Sequence, residues 1–390
     1  PGISRLLWAN WAVITTNSSP AANRDHEAMH AALVLARRGL GSAWPNPAVG
    51  CVLAREDLDG RIIGRGWTQP GGRPHAETEA LSRAGALTQG ATAYVTLEPC
   101  DHQGETPPCT EALITAGVTR CVIAIEDPDP RVSGAGIRRL ANAGVETQIG
   151  LFEQEARHLN AGFLMRVTKG RPLITLKTAT TLDGRVATAK GQSKWITGAP
   201  ARALAHGLRA ENDAIMIGIG TALADQPSLT CRLPGMEDRS PVRIVADSTL
   251  RLPVESPLVE TAGDVPTWVV TVKSADQDKR QALEAKGIEV IEVAAGNDGR
   301  PDLIAVVMEL GGRGLTRLLV ESGGDLAAAL IKHDLADRLA WFRSPKLIGG
   351  DGKGAVAAFG IEAIAEAPAF VRDSITDAGD DVLETYRRAI

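Results

Sequence analysis

The 390-residue chain reads as an α/β protein of two domains. Three observations predict this. Apolar runs of strand length alternate with segments of helical spacing. The length exceeds one average domain, and 44% apolar residues is ample for more than one core. The alternation restarts after Lys169-Gly170-Arg171-Pro172, a Gly/Pro-flanked linker. The expected division is an N-terminal extension (1–23), a first domain (24–168) and a second domain (169–390).

In the first domain, apolar residues recur at helical spacing over 25–38, with Asp25 as the expected N-cap. Segments 48–54 and 62–66 read as short strands around a turn, and 76–84 as a helix. A buried strand, 91–97, ends at Glu98-Pro99-Cys100. A helix begins at 109–116, followed by a strand (120–125) and a helix (134–143). The second domain opens with a strand (173–178) and a helix (200–209), then strands at 214–219, 242–247 and 267–272. A strand–helix pair follows (318–320 and 325–331), and strands at 338–342 and 381–385 close the domain. The two halves do not repeat each other.

Composition narrows the function. The net charge is −5, from 42 basic and 47 acidic residues that are well mixed. No basic stretch points to nucleic acid or a membrane surface, which leaves a small-molecule substrate. No run of 18 apolar residues exists to span a membrane. Residues 6–14, with Trp8 and Trp11, are mildly apolar but too short and too weakly basic upstream for a signal peptide. Of the five cysteines, Cys51 and Cys121 sit in strand-like apolar runs and read as core residues. An odd count argues against a disulfide framework and for a reducing, cytoplasmic setting.

The chemistry concentrates in His75-Ala76-Glu77, Pro99-Cys100 and Cys109. His75, Cys100 and Cys109 form a three-ligand zinc set that leaves one metal position open. Glu77 is too close to the metal to be idle and wrongly placed to be a fourth ligand. That pairing is the machinery for hydrolytic removal of an amino group from a heterocyclic base, with Glu77 carrying the proton. A closed structural site would need Asp101 or His102 as a fourth ligand. Asn46, between two prolines after the first helix, offers an amide that bonds a heterocycle as donor and acceptor.

These residues resemble a known family. Trp44-Pro45-Asn46-Pro47-Ala48-Val49-Gly50, His75-Ala76-Glu77 and Thr96-Leu97-Glu98-Pro99-Cys100 look like the cytidine-deaminase superfamily. Thr106-Pro107-Pro108-Cys109 narrows this to the bifunctional riboflavin-biosynthesis deaminase–reductases. Thr181-Leu182-Asp183-Gly184-Arg185, Ser193-Lys194-Trp195-Ile196-Thr197, Ala224-Asp225-Gln226-Pro227, Val320-Glu321-Ser322-Gly323-Gly324 and Ser344-Pro345-Lys346-Leu347-Ile348-Gly349-Gly350 match the reductase half. The match runs in order over about residues 24 to 390. It implies a three-layer cytidine-deaminase-like domain and a dihydrofolate-reductase-like domain. The implied activities are deamination of 2,5-diamino-6-(5-phosphoribosylamino)pyrimidin-4(3H)-one and NADPH-dependent reduction of 5-amino-6-(5-phosphoribosylamino)uracil. One zinc per chain and homo-oligomers, dimer or tetramer, assembled through the reductase domain are implied as well.

The resemblance also assigns residues. Arg209, Leu229, Arg232, Glu321 and Ser193 match substrate positions, with Lys177 nearby. Ala179, Trp195, Thr221, Asp225 and Ser248 match cofactor positions. Lys177, Arg209 and Arg232 are also the best polar candidates to hold a phosphate. Gly323 and Gly324, between a strand and a helix, offer backbone N–H groups to a pyrophosphate. No Gly-x-Gly-x-x-Gly fingerprint is present, which argues against a Rossmann domain. Asp183-Gly184 reads as a hairpin turn.

Three positions depart from the family. Glu105 stands where a basic residue is common, and Thr68 and Glu79 stand where many members have His. A glutamate facing a phosphate repels it, and Arg73 or His102 are the candidates to supply the charge. Two other readings compete: a nucleobase deaminase fused to an unrelated domain, and a zinc-stapled binding protein that has lost catalysis.

Overall fold

The computed structural model describes residues 20–104, 107–129 and 132–389. The expected extension up to residue 19 and Glu105 lie outside the described residues. The chain divides into two compact units between Arg171 and Pro172.

The first unit is built on a five-stranded sheet in the order β2-β1-β3-β4-β5. Its strands are β1 (Gly50–Arg55), β2 (Arg61–Trp67), β3 (Thr92–Val95), β4 (Arg120–Ile123) and β5 (Glu146–Ile149). Strand β1 pairs antiparallel with both β2 and β3, whereas β3, β4 and β5 run parallel. The helices are α1 (Pro20–Ala36), α2 (Ala76–Ala84), α3 (Cys109–Thr115), α4 (Ala135–Asn142), α5 (Glu153–Leu159) and α6 (Ala161–Lys169).

Strands β1, β3 and β4 are apolar without alternation because both their faces are buried. Gly50 faces Ala32 of α1, whereas its neighbour in the pleat, the Cys51–Gly66 pair, faces α2. A Cβ on Gly66 would lie 2.1 Å from the Ala76 carbonyl oxygen. Its absence lets the first turn of α2 rest on the sheet, and that turn carries Glu77. Met29, Leu53, Leu113 and Ile123 are fully buried between the layers.

The helix of 76–84 forms as the sequence predicts, but Asp25 is not an N-cap. Helix α1 starts earlier, and Asp25 lies inside it. Its carboxylate accepts from the Tyr94 hydroxyl (2.6 Å) and from both terminal nitrogens of Arg120 (2.9 and 2.7 Å). The helix is thereby tied to β3 and β4, and only the folded sheet supplies those partners.

The second unit holds a nine-stranded sheet, ordered β11-β10-β9-β8-β12-β6-β13-β16-β15. The strands are β6 (Leu173–Thr180), β8 (Ala214–Gly218), β9 (Val242–Ala246), β10 (Thr267–Val272), β11 (Glu289–Val293), β12 (Arg317–Glu321), β13 (Arg338–Arg343), β15 (Phe370–Ala378) and β16 (Asp381–Arg388). Strands β7 (Arg185–Ala187) and β14 (Lys353–Gly354) form a small separate pair. The helices are α7 (Ala199–Ala210), α8 (Ile219–Asp225), α9 (Pro257–Glu260), α10 (Gln277–Glu284), α11 (Leu303–Gly312) and α12 (Gly324–Lys332). All pairings from β11 to β13 are parallel, and the β15–β16 hairpin closes the sheet antiparallel.

Strand β15 was not foreseen from the sequence. Most of its residues are exposed or half-buried, and charges interrupt its apolar positions. The parallel strands matter for function because their C-terminal ends collect at one edge, where α/β sheets bind ligands. Among the described residues, no helix is long and apolar enough to cross a membrane.

Candidate functional site

In the first unit, three segments far apart in sequence meet where two helices begin. His75 immediately precedes α2, and Cys109 opens α3. Cys100 follows β3 on the turn Leu97–Cys100, which is held by Glu98. That carboxylate accepts N–H bonds from Asp127 (3.1 Å), Gly134 (3.0 Å) and Ile137 (3.2 Å). Glu98 is thus a buried anchor that sequence reasoning missed; its signal was an acidic residue inside an apolar strand end.

The donor atoms of His75, Cys100 and Cys109 all lie within 4.8 Å of one another. His75 Nδ1 is 3.3 Å from Cys109 Sγ and 3.7 Å from Cys100 Sγ, and the Cys109 N–H donates to Cys100 Sγ at 3.4 Å. No fourth donor joins the group among the described residues. Asp101 accepts from the Thr110 hydroxyl (2.6 Å), and His102 is exposed.

Electrostatics favours a cation here. The hydrogen bond with Cys109, opposed by burial and helped by His75, lowers the Cys100 pKa to about 4. The same bond and burial push the Cys109 thiol up. Two thiolates this close need a positive charge between them, and a zinc ion is that charge. Glu77 is buried beside the group; burial, opposed chiefly by His75, raises its pKa to about 7. A nearby dication acts in the opposite sense and favours the carboxylate.

Asn46 donates to the Gly72 carbonyl (3.0 Å), on the loop that leads into His75. Thr68 serves the backbone: its hydroxyl accepts from the Val49 N–H (3.0 Å) and donates to Pro47 (2.9 Å). Glu79 pairs with Arg83, whose guanidinium lies over Trp67 at 5.0 Å. The Arg73 guanidinium lies beside Gly104.

In the second unit, Lys177 from within β6 forms one cluster with Arg209 and Glu321, which stand at the C-terminal ends of α7 and β12. Arg209 grips Glu321 with two nitrogens (2.8 and 3.0 Å), and Lys177 Nζ stands 3.5 Å away. Burial pushes the Glu321 carboxyl up, but Lys177 and Arg209 outweigh it and hold the pKa at about 2. Arg209 also donates to the Thr230 carbonyl (3.0 Å) on the loop that carries buried Leu229 and exposed Arg232. His206, missed in the sequence, lies 3.3 Å from the Arg232 N–H; burial and the cations Arg209 and Arg232 lower its pKa to about 4. The result is a cationic corner with one neutralising carboxylate.

Next to it, Thr221, Ser248, Gly323 and Gly324 line a single cavity of about 860 Å³. Ala179, Trp195 and Asp225 are not among its lining residues. Ala179 packs under Phe342 in the β6–β13 pair. Trp195 is 63% exposed, with the Arg202 guanidinium 4.5 Å over its ring, and the Asp225 carbonyl faces Lys194 Nζ at 3.5 Å. Ser193 caps a local turn through its carbonyl. Asp183 does more than turn a hairpin: its carboxylate accepts from Thr181, Ile348 and Gly349, tying 181–185 to 344–350.

Comparisons with known proteins agree with this geometry. The profile of the cytidine and deoxycytidylate deaminase zinc-binding region matches residues 22–125, and that of the RibD C-terminal domain matches 172–383. Riboflavin biosynthesis protein RibD of Escherichia coli is 42% identical over 370 residues, covering 92% of this chain and 98% of the relative. The RibD of Aquifex aeolicus is 40% identical over 364 residues, 93% and 98% of the two chains. Acinetobacter baumannii RibD superposes with a TM-score of 0.85 at 36% identity, covering 94% of this chain and all but 1% of that one, since its coverage is 99%. A Thermotoga maritima diaminohydroxyphosphoribosylaminopyrimidine deaminase/5-amino-6-(5-phosphoribosylamino)uracil reductase gives 0.82 at 33% identity over 95% and 100%. A zinc-type donor set in one unit, a reductase sheet in the other and full-length relatives together place this chain in the RibD family of riboflavin-biosynthesis enzymes.

Proposed function

We propose that the first unit deaminates 2,5-diamino-6-(5-phosphoribosylamino)pyrimidin-4(3H)-one and that the second reduces 5-amino-6-(5-phosphoribosylamino)uracil with NADPH. The observation that carries the first half is the His75–Cys100–Cys109 donor set with buried Glu77 beside it. When bound, zinc brings the acidity of its water ligand to near neutrality. Glu77 takes a proton from the hydrolytic water and returns it to the departing amino group; the dication favours the carboxylate form that accepts the proton. Glu98 fixes the turn that carries Cys100, and Asn46 orients the base.

In the second unit NADPH supplies the hydride. Gly323, Gly324 and Thr221 hold the dinucleotide in the cavity. Arg209 and Arg232 bind the ribose phosphate, and Glu321 keeps Lys177 and Arg209 aligned beside the reacting carbon. Outside the cavity lining, the family resemblance assigns Ala179, Trp195 and Asp225 to the cofactor and Ser193 to the substrate. The enzyme works in the cytoplasm on a phosphorylated small molecule. Chains pair through the reductase edge: Ile364 (94% exposed), Ile375 (53%) and Val371 (43%) lie on or beside the outermost strand.

One coupled assay tests the whole reading. Ammonia release and NADPH consumption are both expected from the pyrimidine substrate. Metal analysis is expected to give one zinc per chain, lost in Cys109→Ala. Absence of either product step, or full zinc occupancy in that variant, refutes the corresponding assignment.

A further inference from the structure

We propose that His206 is a positioning residue of the reductase: its Nδ1 atom holds the Arg232 backbone N–H and so aims the Arg232 guanidinium at the substrate phosphate. This rests on reading the Arg209–Arg232 corner as the phosphate site. Arg232 lies on a stretch, residues 226–232, that belongs to no helix or strand. Its backbone is not one that residues with a side chain readily adopt: Gln226 has φ at 44° and Leu229 at 54°. Bonds from outside the stretch therefore set its shape. Arg243, fully buried on β9, donates to the Ser228 carbonyl at 3.3 Å. Arg209 donates to the Thr230 carbonyl at 3.0 Å, and the Ser240 hydroxyl accepts the Cys231 N–H at 3.1 Å. His206 completes the set as acceptor of the Arg232 N–H at 3.3 Å.

The network fixes which ring nitrogen carries the proton. Nδ1 lies 3.1 Å from the Thr230 carbonyl oxygen and 3.3 Å from the Arg232 nitrogen, and it can serve only one of them. The carbonyl already receives Arg209, whereas no other acceptor meets the Arg232 N–H among the described residues. A bare Nδ1, with the proton on Nε2, leaves neither backbone group unpaired. The surroundings keep the ring neutral. Burial and the Arg209 and Arg232 guanidiniums hold the imidazole pKa at about 4, against the Thr230 carbonyl and the Glu321 carboxylate, which favour the cation. At neutral pH His206 is thus an acceptor facing two guanidiniums.

Holding the backbone places the side chain. Arg232 Nη1 donates to the Ser228 hydroxyl at 2.5 Å and lies 3.4 Å from the Thr230 hydroxyl. The guanidinium is therefore folded over the same stretch that the outside bonds shape. His206 and Arg209 stand three residues apart on α7, so one helix face fixes both cations of the corner. Arg209 is aimed by Glu321, and Arg232 by His206. A guanidinium already held in place loses less freedom when it grips a phosphate. His206 is not among the residues that line the neighbouring cavity, so dinucleotide binding does not depend on it.

Steady-state reduction of 5-amino-6-(5-phosphoribosylamino)uracil by the full chain compares wild type with His206→Ala, His206→Asn and His206→Gln. His206→Ala is expected to raise KM for this substrate about tenfold, the scale of one lost hydrogen bond, with kcat changed less than about twofold and KM for NADPH unchanged. His206→Asn, whose Oδ1 stands where Nδ1 does, is expected to recover most of the loss. His206→Gln, whose acceptor lies one bond further out, is expected to recover little. An unaltered substrate KM in His206→Ala overturns the role of His206. So does a His206→Asn no better than His206→Gln, which would leave ring packing as the cause. Arg232→Gln tests the reading beneath: it is expected to raise the same KM at least as far. An unaltered KM in Arg232→Gln removes the phosphate from this corner, and the proposal with it. Melting curves accompany every variant; if His206→Ala melts early, the comparison of His206→Asn with His206→Gln decides alone.

Discussion

The zinc-type centre and the reductase cavity solve opposite problems. The first packs two cysteine sulfurs and a histidine nitrogen within 4.8 Å of one another, with Cys109 and Glu77 buried. The second spreads its contacts over a cavity of about 860 Å³ lined by turns from several strands, together with a cationic corner where Lys177 of β6 meets the end of β12. The difference teaches where each kind of site resides in the chain. A hydrolytic metal centre needs particular atoms, so single substitutions abolish it. A hydride-transfer site needs a shaped surface whose tasks are shared, so single substitutions there tune binding and stability.

The largest effect follows from that contrast. Glu77→Gln is expected to keep zinc and fold but to lose about 10²- to 10⁴-fold in deamination, the scale of a missing acid/base group. Reduction of the deaminated intermediate is expected to persist. If ammonia release and NADPH oxidation declined in parallel, the two centres would not be independent.

Glu321 sharpens the comparison from the reductase side. Its pKa is lowered from 4.5 to about 2 in the folded chain. A lowered carboxyl pKa stabilises the fold above pH 4.5, and the benefit disappears as pH falls toward 2. At neutral pH it amounts to about 3 kcal/mol. Glu321→Gln lacks it at every pH. Thermal unfolding should therefore show a gap between wild type and variant that closes between pH 4.5 and 2. A gap independent of pH would mean that packing, and not charge, sets the role of Glu321.

A smaller effect tests the support behind the metal ligands. A Cβ on Gly136 would lie 2.0 Å from the Pro99 carbonyl oxygen, so α4 rests against the turn that carries Cys100. Gly136→Ala should shift that turn and weaken zinc affinity about tenfold, as measured by competition with a chelator. Unchanged affinity would show that the turn is held by Glu98 alone.

The smallest expected effect is from separation. A fragment beginning near residue 169 should reduce the deaminated intermediate much as the full chain does, because the division falls next to Gly170 and Pro172. Circular dichroism showing an unfolded fragment would make the units interdependent.

Much of this was legible beforehand, and unevenly so. Helix 76–84 and the strand 267–272 could be read because their apolar spacing is regular. His75, Glu77, Cys100 and Cys109 could be read because their chemistry restricts residue type. Asp25 could not: its carboxylate sits in a helix and answers to Arg120 and Tyr94, 95 and 69 positions away. Strand β15 was hidden by exposed, charged positions that match no simple alternation.

The sequence by itself determined the α/β class and singled out His75, Cys100 and Cys109, whose donor atoms the fold brings within 4.8 Å of one another, with Glu77 buried. Those follow from local periodicity and from atoms that no other residue type provides. Only the tertiary structure decided that Glu98 anchors the Cys100 turn, that Glu321 is bracketed by Lys177 and Arg209, and that Thr68 serves the backbone. It likewise decided that the turn after β9 stands two strands from Gly323-Gly324. Such facts are distances between groups remote in the chain, and they exist only once strand order and helix packing have closed the space between them.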